Sequence, residues 1–278
     1  MLLVVPSDPL RPRRPDEHFA PEYDAARDAG LDVALVDHDA LTAGAAAEAC
    51  ARLPASNDVV YRGWMLRAEE YAAFDAAARD RGATLRTSAA QYRTAHELPG
   101  WYDALRDHTP FSAVAGGFTR SDFDECRAAI GSGAAVLRDH VKSAKHYWHQ
   151  AAYVPDVADA EAAWRVAERF LEVRDDARVG GFVLRRYEPF TGAEVRTWWV
   201  GGRCALVTAH PDEPDAAPGD VDVSAVAPAV ASLGLPFVTV DLARVTSGAW
   251  RVVELGDGQV SDRPRTTDPA ALVAALTG

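Results

Sequence analysis

The sequence predicts an α/β domain followed by an α+β half, and two observations carry that division. Over the first hundred residues, short apolar runs alternate with amphipathic helical stretches, the pattern of a parallel sheet with helical crossovers. Beyond residue 180, strand-like runs adjoin one another through tight turns containing glycine, as antiparallel sheets do.

The elements follow in order. Leu2 to Val5 is an apolar run that stops at Pro6 and Asp8; it is too short for a signal peptide or a membrane span and predicts a first strand. Residues 21–29 predict a helix stopped by Gly30, and Val33 to Val36 a second strand. The Ala-rich stretch 40–53 predicts one long helix ended by Pro54. Val59 to Tyr61 is a third strand, 68–81 an amphipathic helix stopped by Gly82, and Ala83 to Arg86 a fourth strand. No Gly-rich fingerprint follows Val5 or Val36, which disfavours a dinucleotide site. Pro110, Gly116 and Gly117 then punctuate the chain. A helix from Ser121 or Asp122 to Ile130, a strand Ala134 to Arg138, a helix over 156–174 and a strand Phe182 to Tyr187 come next. Glu194 to Val200 and Arg203 to Val207 flank Gly201 and Gly202 as a hairpin. Phe237 to Asp241 and Trp250 to Leu255 flank a turn at Ser247 and Gly248, and Asp268 to Leu276 closes with a short helix. No internal repeat is visible.

Composition narrows the function classes. The 278 residues are 48% apolar and 25% charged, ordinary for a folded protein. The net charge of −12 repels phosphate backbones at long range and argues against nucleic-acid wrapping. Asp212, Glu213, Asp215, Asp220 and Asp222 lie among Pro and Gly and read as a solvated acidic loop. Cys50, Cys126 and Cys204 are far apart, with neither metal spacing nor a redox pair, so a reducing cytoplasm is the simplest compartment. Nothing suggests direct membrane contact, and the oligomeric state is not encoded.

Four stretches carry chemistry. Between Val136 and Trp148, Arg138, Lys142 and Lys145 cluster with His140 and His146. This is a wet basic surface or a phosphate clamp, in which lysines act as point charges and arginine as a fork of donors. His140, His146 and His149 lack a thiol or carboxylate in register, which disfavours zinc. Phe182 to Phe190, with Arg186, Tyr187 and Glu188, reads either as a strand and turn or as an edge strand whose backbone meets a purine while the carboxylate holds ribose hydroxyls. Glu194, Arg196 and Trp198 share one strand face; the charged pair either bonds across the sheet or lines an active site. Asp241 and Glu254 each follow an apolar strand core and would lie side by side in a hairpin. Two adjacent carboxylates need a proton or cation between them, and Mg²⁺ suits that set; Asp257 is a possible third ligand. The bland alternative is that each acid caps its turn. No Walker loop, kinase motif set or nucleophilic triad occurs.

With these motifs in this order, the sequence resembles the ATP-grasp superfamily, in a branch with largely unassigned substrates. The resemblance rests on Val60 to Leu66, Leu98 to Tyr102, Arg138 to His146, Glu194 to Arg196 and Val252 to Val260. It implies a Rossmann-like domain over residues 1–108, a smaller ATP-grasp lobe over 109–178 and a larger lobe over 179–278. It places Arg138, Lys142 and Lys145 near the phosphates and makes the strand ending in Arg186, Tyr187 and Glu188 the adenine linker. Glu194 joins the nucleotide set, Arg196 the catalytic set, and Asp241 and Glu254 become the Mg²⁺ ligands. Gly256 stands where many members have asparagine, so Asp257, Gln259 or water would complete the metal shell. The implied cofactors are ATP and Mg²⁺. The implied reaction is carboxylate–amine ligation through an acylphosphate, on small-molecule or peptide carboxylate and amine substrates. A small-molecule kinase and a non-catalytic nucleotide-binding module are the alternatives. Arg62 and Trp64 follow a parallel strand at its carboxyl end, where α/β domains bind ligands, and are expected to meet the acceptor.

Overall fold

The computed structural model describes all 278 residues, Met1–Gly278. It divides into two compact units: one comprises Met1–His96, Gly192–Ala243 and Glu254–Gly278, the other Glu97–Thr191 and Arg244–Val253.

The N-terminal elements are β1 (Leu2–Asp8), β2 (Arg11–Pro15), α1 (Ala20–Asp28), β3 (Asp32–Val36), α2 (His38–Thr42), α3 (Ala46–Ala49), β4 (Ser56–Tyr61), α4 (Ala68–Asp80), β5 (Ala83–Leu85) and α5 (Ala89–His96). β1 pairs in parallel with β3 and β4, and β4 with β5. Alternation along β1 explains its unbroken apolar run. Leu2 and Val4 enter a core with Leu41, Tyr71 and Phe74. Leu3 and Val5 enter a second core with Phe19, Trp198, Phe237 and Leu272. A strand buried on both faces cannot show polar alternation. β2 escaped the sequence reading because Arg11, Arg13 and Arg14 leave it exposed, paired to β1 only at Ser7 and Asp8. The single helix expected over 40–53 is two short ones. Gly44 takes φ +80°, a left-handed conformation that ends α2.

The second unit begins with α6 (Leu98–Leu105), β6 (Ser112–Val114), α7 (Arg120–Ile130), β7 (Ala135–Arg138), β8 (Tyr153–Val154), α8 (Ala160–Arg174) and β9 (Val183–Arg186). The sheet order is β6-β9-β7-β8, and α7 and α8 pack on it through Phe123, Ile130, Ala163, Ala167 and Phe170, against Leu137, Phe182 and Leu184. α8 starts later than residue 156 because Asp159 is its N-cap, accepting from the Ala162 amide at 3.0 Å. Asp156 instead holds the Gly133 and Ala158 amides.

The remaining elements are β10 (Phe190–Val200), β11 (Arg203–Ala209), α9 (Ala227–Ser232), β12 (Phe237–Val245), β13 (Trp250–Asp257) and α10 (Pro269–Thr277), with a sheet in the order β11-β10-β12-β13. Gly201 and Gly202 both have positive φ, as the tight β10–β11 turn requires. The architecture is the predicted one, an α/β N-terminal region followed by sheet-rich ATP-grasp-like lobes. No helix is long and apolar enough to cross a membrane.

Candidate active site

In the first unit, chemistry gathers where β10, β12 and the end of β11 meet. Arg196 on β10 grips Asp241 on β12 with two hydrogen bonds, Nε to Oδ1 and a terminal nitrogen to Oδ2, both 2.8 Å. Both side chains are buried. Arg196 also donates to the Asp262 carbonyl at 2.8 Å. His210, just past β11, brings Nε2 to 3.5 Å from Asp241 and 3.9 Å from Glu194. Its Nδ1 accepts from the Asp212 amide at 3.2 Å, which assigns the neutral ring's proton to Nε2.

Burial opposes ionisation of Asp241, yet the charge and hydrogen bonds of Arg196, with His210, hold its carboxyl well below the usual range. Burial also works against the Arg196 charge, but Asp241, with Glu254 and Asp262 adding to it, raises the guanidinium pKa. Asp241 is therefore an anion, and Glu254 lies within electrostatic reach of the same guanidinium. The two carboxylates offer hard oxygen donors. Mg²⁺ takes one or two of these and fills its shell with water and phosphate. Each oxygen of Asp241 keeps a lone pair beyond its bond to Arg196. No group of three or more Asp, Glu, His or Cys side chains converges, so a fit to Mg²⁺ rests on this pair alone.

The structure does not bring Asp257 to Glu254. Three residues apart on β13, they project from opposite faces. Asp257 is instead 1% exposed, its Oδ1 accepting from the Gln259 amide at 2.9 Å and its Oδ2 buried without a partner. Burial pushes its carboxyl up to about 7.

Arg62 is a correction of a different kind. It is 1% exposed. Nε and one terminal nitrogen bind both oxygens of the buried Glu22 at 2.7 and 3.0 Å. The other terminal nitrogen donates to the carbonyls of Gly258, Gln259 and Ser261. Arg62 fastens the segment after β13 and does not face an acceptor. Gln259, fully buried, adds to the same fastening: its carboxamide accepts from the Tyr61 amide and donates to the Tyr71 hydroxyl, while its carbonyl accepts from Gly63. Trp64 is exposed as expected, with Nε1 donating to Asp16 at 3.2 Å.

In the second unit, the basic loop after β7 is organised by an acid that sequence reading passed over. Asp139 has no exposed surface. It accepts from the Val141 and Lys142 amides at 2.7 and 2.6 Å, from the Val179 amide at 3.3 Å, and from Arg174 at 2.9 Å. Arg138 is buried and bonds the Asp139 and Val141 carbonyls, shaping the loop from inside. Lys142 is half-buried and Lys145 exposed. His140 bonds the Ala115 carbonyl at 2.9 Å. His146 and His149 lie in a 3₁₀ turn, Lys145–Tyr147, and a π turn, Trp148–Ala152, not on a shared α-helical face.

The expected edge strand for a purine is not at an edge. β9 is flanked by β6 and β7, which engage its backbone on both sides. The Tyr187 amide is also taken, by the Ala134 carbonyl. Arg186 bonds the Ile130 carbonyl at 3.1 Å. Glu188 forms a two-pronged pair with Arg251 at 2.9 and 3.0 Å. The exposed Tyr187 ring stands 5.3 Å from Tyr153 and 6.4 Å from Trp148, an aromatic cluster beside the chain leaving β9.

No thiol competes as a nucleophile, since burial pushes Cys50 and Cys126 up to about 11.

Comparison with protein-family models matches residues 129–276 to the ATP-grasp domain, clade family 3. Comparison with curated protein sequences found no match. Among solved structures, the chain is similar to D-cycloserine synthetase DcsG at 20% identity and a TM-score of 0.64, covering 100% of this chain and 99% of that one. It is similar to a RimK domain ATP-grasp protein from Sphaerobacter thermophilus DSM 20745 at 18% identity and a TM-score of 0.62, with 99% of each chain covered. The ATP-grasp ligase PsnB, complexed with precursor peptide PsnA2 and AMPPNP, aligns at 14% identity and a TM-score of 0.60 over 99% of this chain and 97% of that one. At these identities the likeness concerns the fold.

Proposed function

We propose a ligase: the chain belongs to clade family 3 of the ATP-grasp domains, and we infer that it joins a carboxylate to an amine with cleavage of ATP. The observation that carries the reading is the buried Arg196–Asp241 pair with His210 and Glu254 around it. It sets a fixed cation beside two carboxylates suited to Mg²⁺.

In this mechanism Lys142 and Lys145 neutralise phosphate oxygens as point charges, on a loop whose shape Asp139 and Arg138 hold. Tyr187 and Glu188, where the chain leaves β9, belong to the adenine and ribose side, with Arg186 and Glu194 completing the nucleotide set. Mg²⁺, when held by Asp241 and Glu254, offsets charge on the transferring phosphoryl group. The substrate carboxylate becomes an acylphosphate, the amine adds to its carbonyl carbon, and phosphate leaves from the tetrahedral intermediate. Arg196, oriented by Asp241, supplies positive charge where the oxyanion forms. Asp257 and Arg62 have no part in these steps. The acceptors are small-molecule or peptide carboxylates and amines.

The test is release of ADP and phosphate by the purified chain with Mg²⁺, across a matrix of carboxylates and amines. Release that needs one member of each class supports the ligase. A stable phosphorylated product with no dependence on an amine refutes it in favour of a kinase.

A further inference from the structure

Trp64 is 41% exposed, yet it is held as firmly as a core residue. Its carbonyl accepts from the Tyr61 hydroxyl at 3.1 Å, and its indole nitrogen is tied to Asp16. Its ring lies 4.8 Å from His18, tilted by 35°, and 5.0 Å edge-on from Phe19. The loop that carries it is anchored by the saturated Arg62 and by Gln259 beneath. His18 is fixed in turn: its amide donates to Asp16 at 2.8 Å and its Nε2 donates to Asp262 at 2.7 Å. Such preorganisation of an exposed aromatic pair is of no use to the core and is what a binding surface needs. Both loops leave the carboxyl ends of parallel strands, β1 and β4.

Two features give the ligand's class. Indole and imidazole faces flanked by Asp16 and Asp262 attract a cation and repel an anion. The nearby arginine, Arg62, is already neutralised by Glu22. The site also adjoins the reaction centre, because the Asp262 carbonyl is bonded to Arg196. We propose that Trp64, His18, Asp16 and Asp262 form the subsite that holds a cationic amino group of the amine substrate. This rests on the ligase reading and names the charge of its second substrate.

The experiment follows the Trp64 indole N–H resonance, assigned through Trp64→Phe, in the full chain without nucleotide. Agmatine is the cationic probe and glutarate the anionic control. Agmatine is expected to shift the resonance saturably and glutarate is not. Asp262→Asn and Asp16→Asn are expected to weaken agmatine about two- to fivefold each, the scale of single exposed charge and cation–π contacts. An equal response to glutarate, or undiminished agmatine binding in both variants, overturns the proposal. Amine-dependent ADP release is measured alongside. If release depends on an amine while the resonance stays still and Asp262→Asn leaves the amine KM unchanged, the subsite falls and the ligase stands. If the resonance responds as expected but no amine stimulates release, the ligase reading falls and the cation site stands.

Discussion

Arg62→Ala separates a fastening role from a substrate role. Arg62 and Glu22 are 1% and 4% exposed, so solvent screens their pairing little. Removing one partner of a buried pair costs about 3–5 kcal/mol, because the other charge stays buried. Arg263, 3.3 Å from Glu22, softens that loss, while the abandoned carbonyls of Gly258, Gln259 and Ser261 add to it. At about 2–4 °C per kcal/mol for a protein of this size, Tm should fall by about 6–20 °C. A pH series sharpens the test. Burial raises the Glu22 pKa, but Arg62 and Arg263 outweigh it and lower it below 4.5. Its contribution is therefore present above pH 4.5 and is lost as the pH falls through the folded-state pKa. The variant should lose stability mainly at neutral pH and show a flatter acid limb. Calorimetry from acid to mildly alkaline pH reads both. A Tm within about 2 °C of the parent chain at neutral pH, together with a severalfold higher amine KM, would refute the reasoning and return Arg62 to the substrate.

Asp257→Asn should act in the opposite sense. A carboxyl raised from 3.8 to about 7 destabilises the fold progressively as the pH rises through that window, by at most about 4 kcal/mol. The variant should gain Tm over the parent above that window and not at its acid end; equal changes at both would contradict the assignment. Asp139→Ala should cost about 3–5 kcal/mol, since it strands Arg174 and three amides inside the loop. It should also weaken binding of an ATP analogue, as titration calorimetry at permissive temperature would show. Glu254→Gln should abolish Mg²⁺-dependent ADP release while leaving Tm within about 3 °C; retained turnover would remove Glu254 from the metal set.

What the sequence disclosed follows the physics of each element. The parallel sheet was legible because β1 is apolar on both sides, and α4 because its stripe repeats at helical spacing. β2 and the break at Gly44 were not, since exposed arginines carry no periodicity and alanine does not announce where a helix stops. The pairing of Arg196 was half-read: its face was clear, but whether its partner would be Asp241 depends on strand order, a non-local fact. His210 was missed for a subtler reason. Counting back from Gly201 and Gly202 misplaces it by one, because a bulge at Trp198 and Trp199 shifts the register so that Val195 faces Ala209. One step further, His210 lies opposite Glu194. The placement of Arg62 was right and its role wrong, because a buried arginine and a substrate-binding one look alike until Glu22 is seen beside it.

The way the first unit is stitched together has a consequence for biosynthesis. Leu3 and Val5, among the earliest residues to leave the ribosome, must wait for Trp198, Phe237 and Leu272 to cover them. A nascent chain ending at His96 therefore exposes one greasy side of its sheet through most of translation. The stretch from Glu97 to Thr191 carries its own core and can condense in the meantime. Arrested chains should accordingly bind holdase chaperones through their beginning and let go only when α10 has emerged.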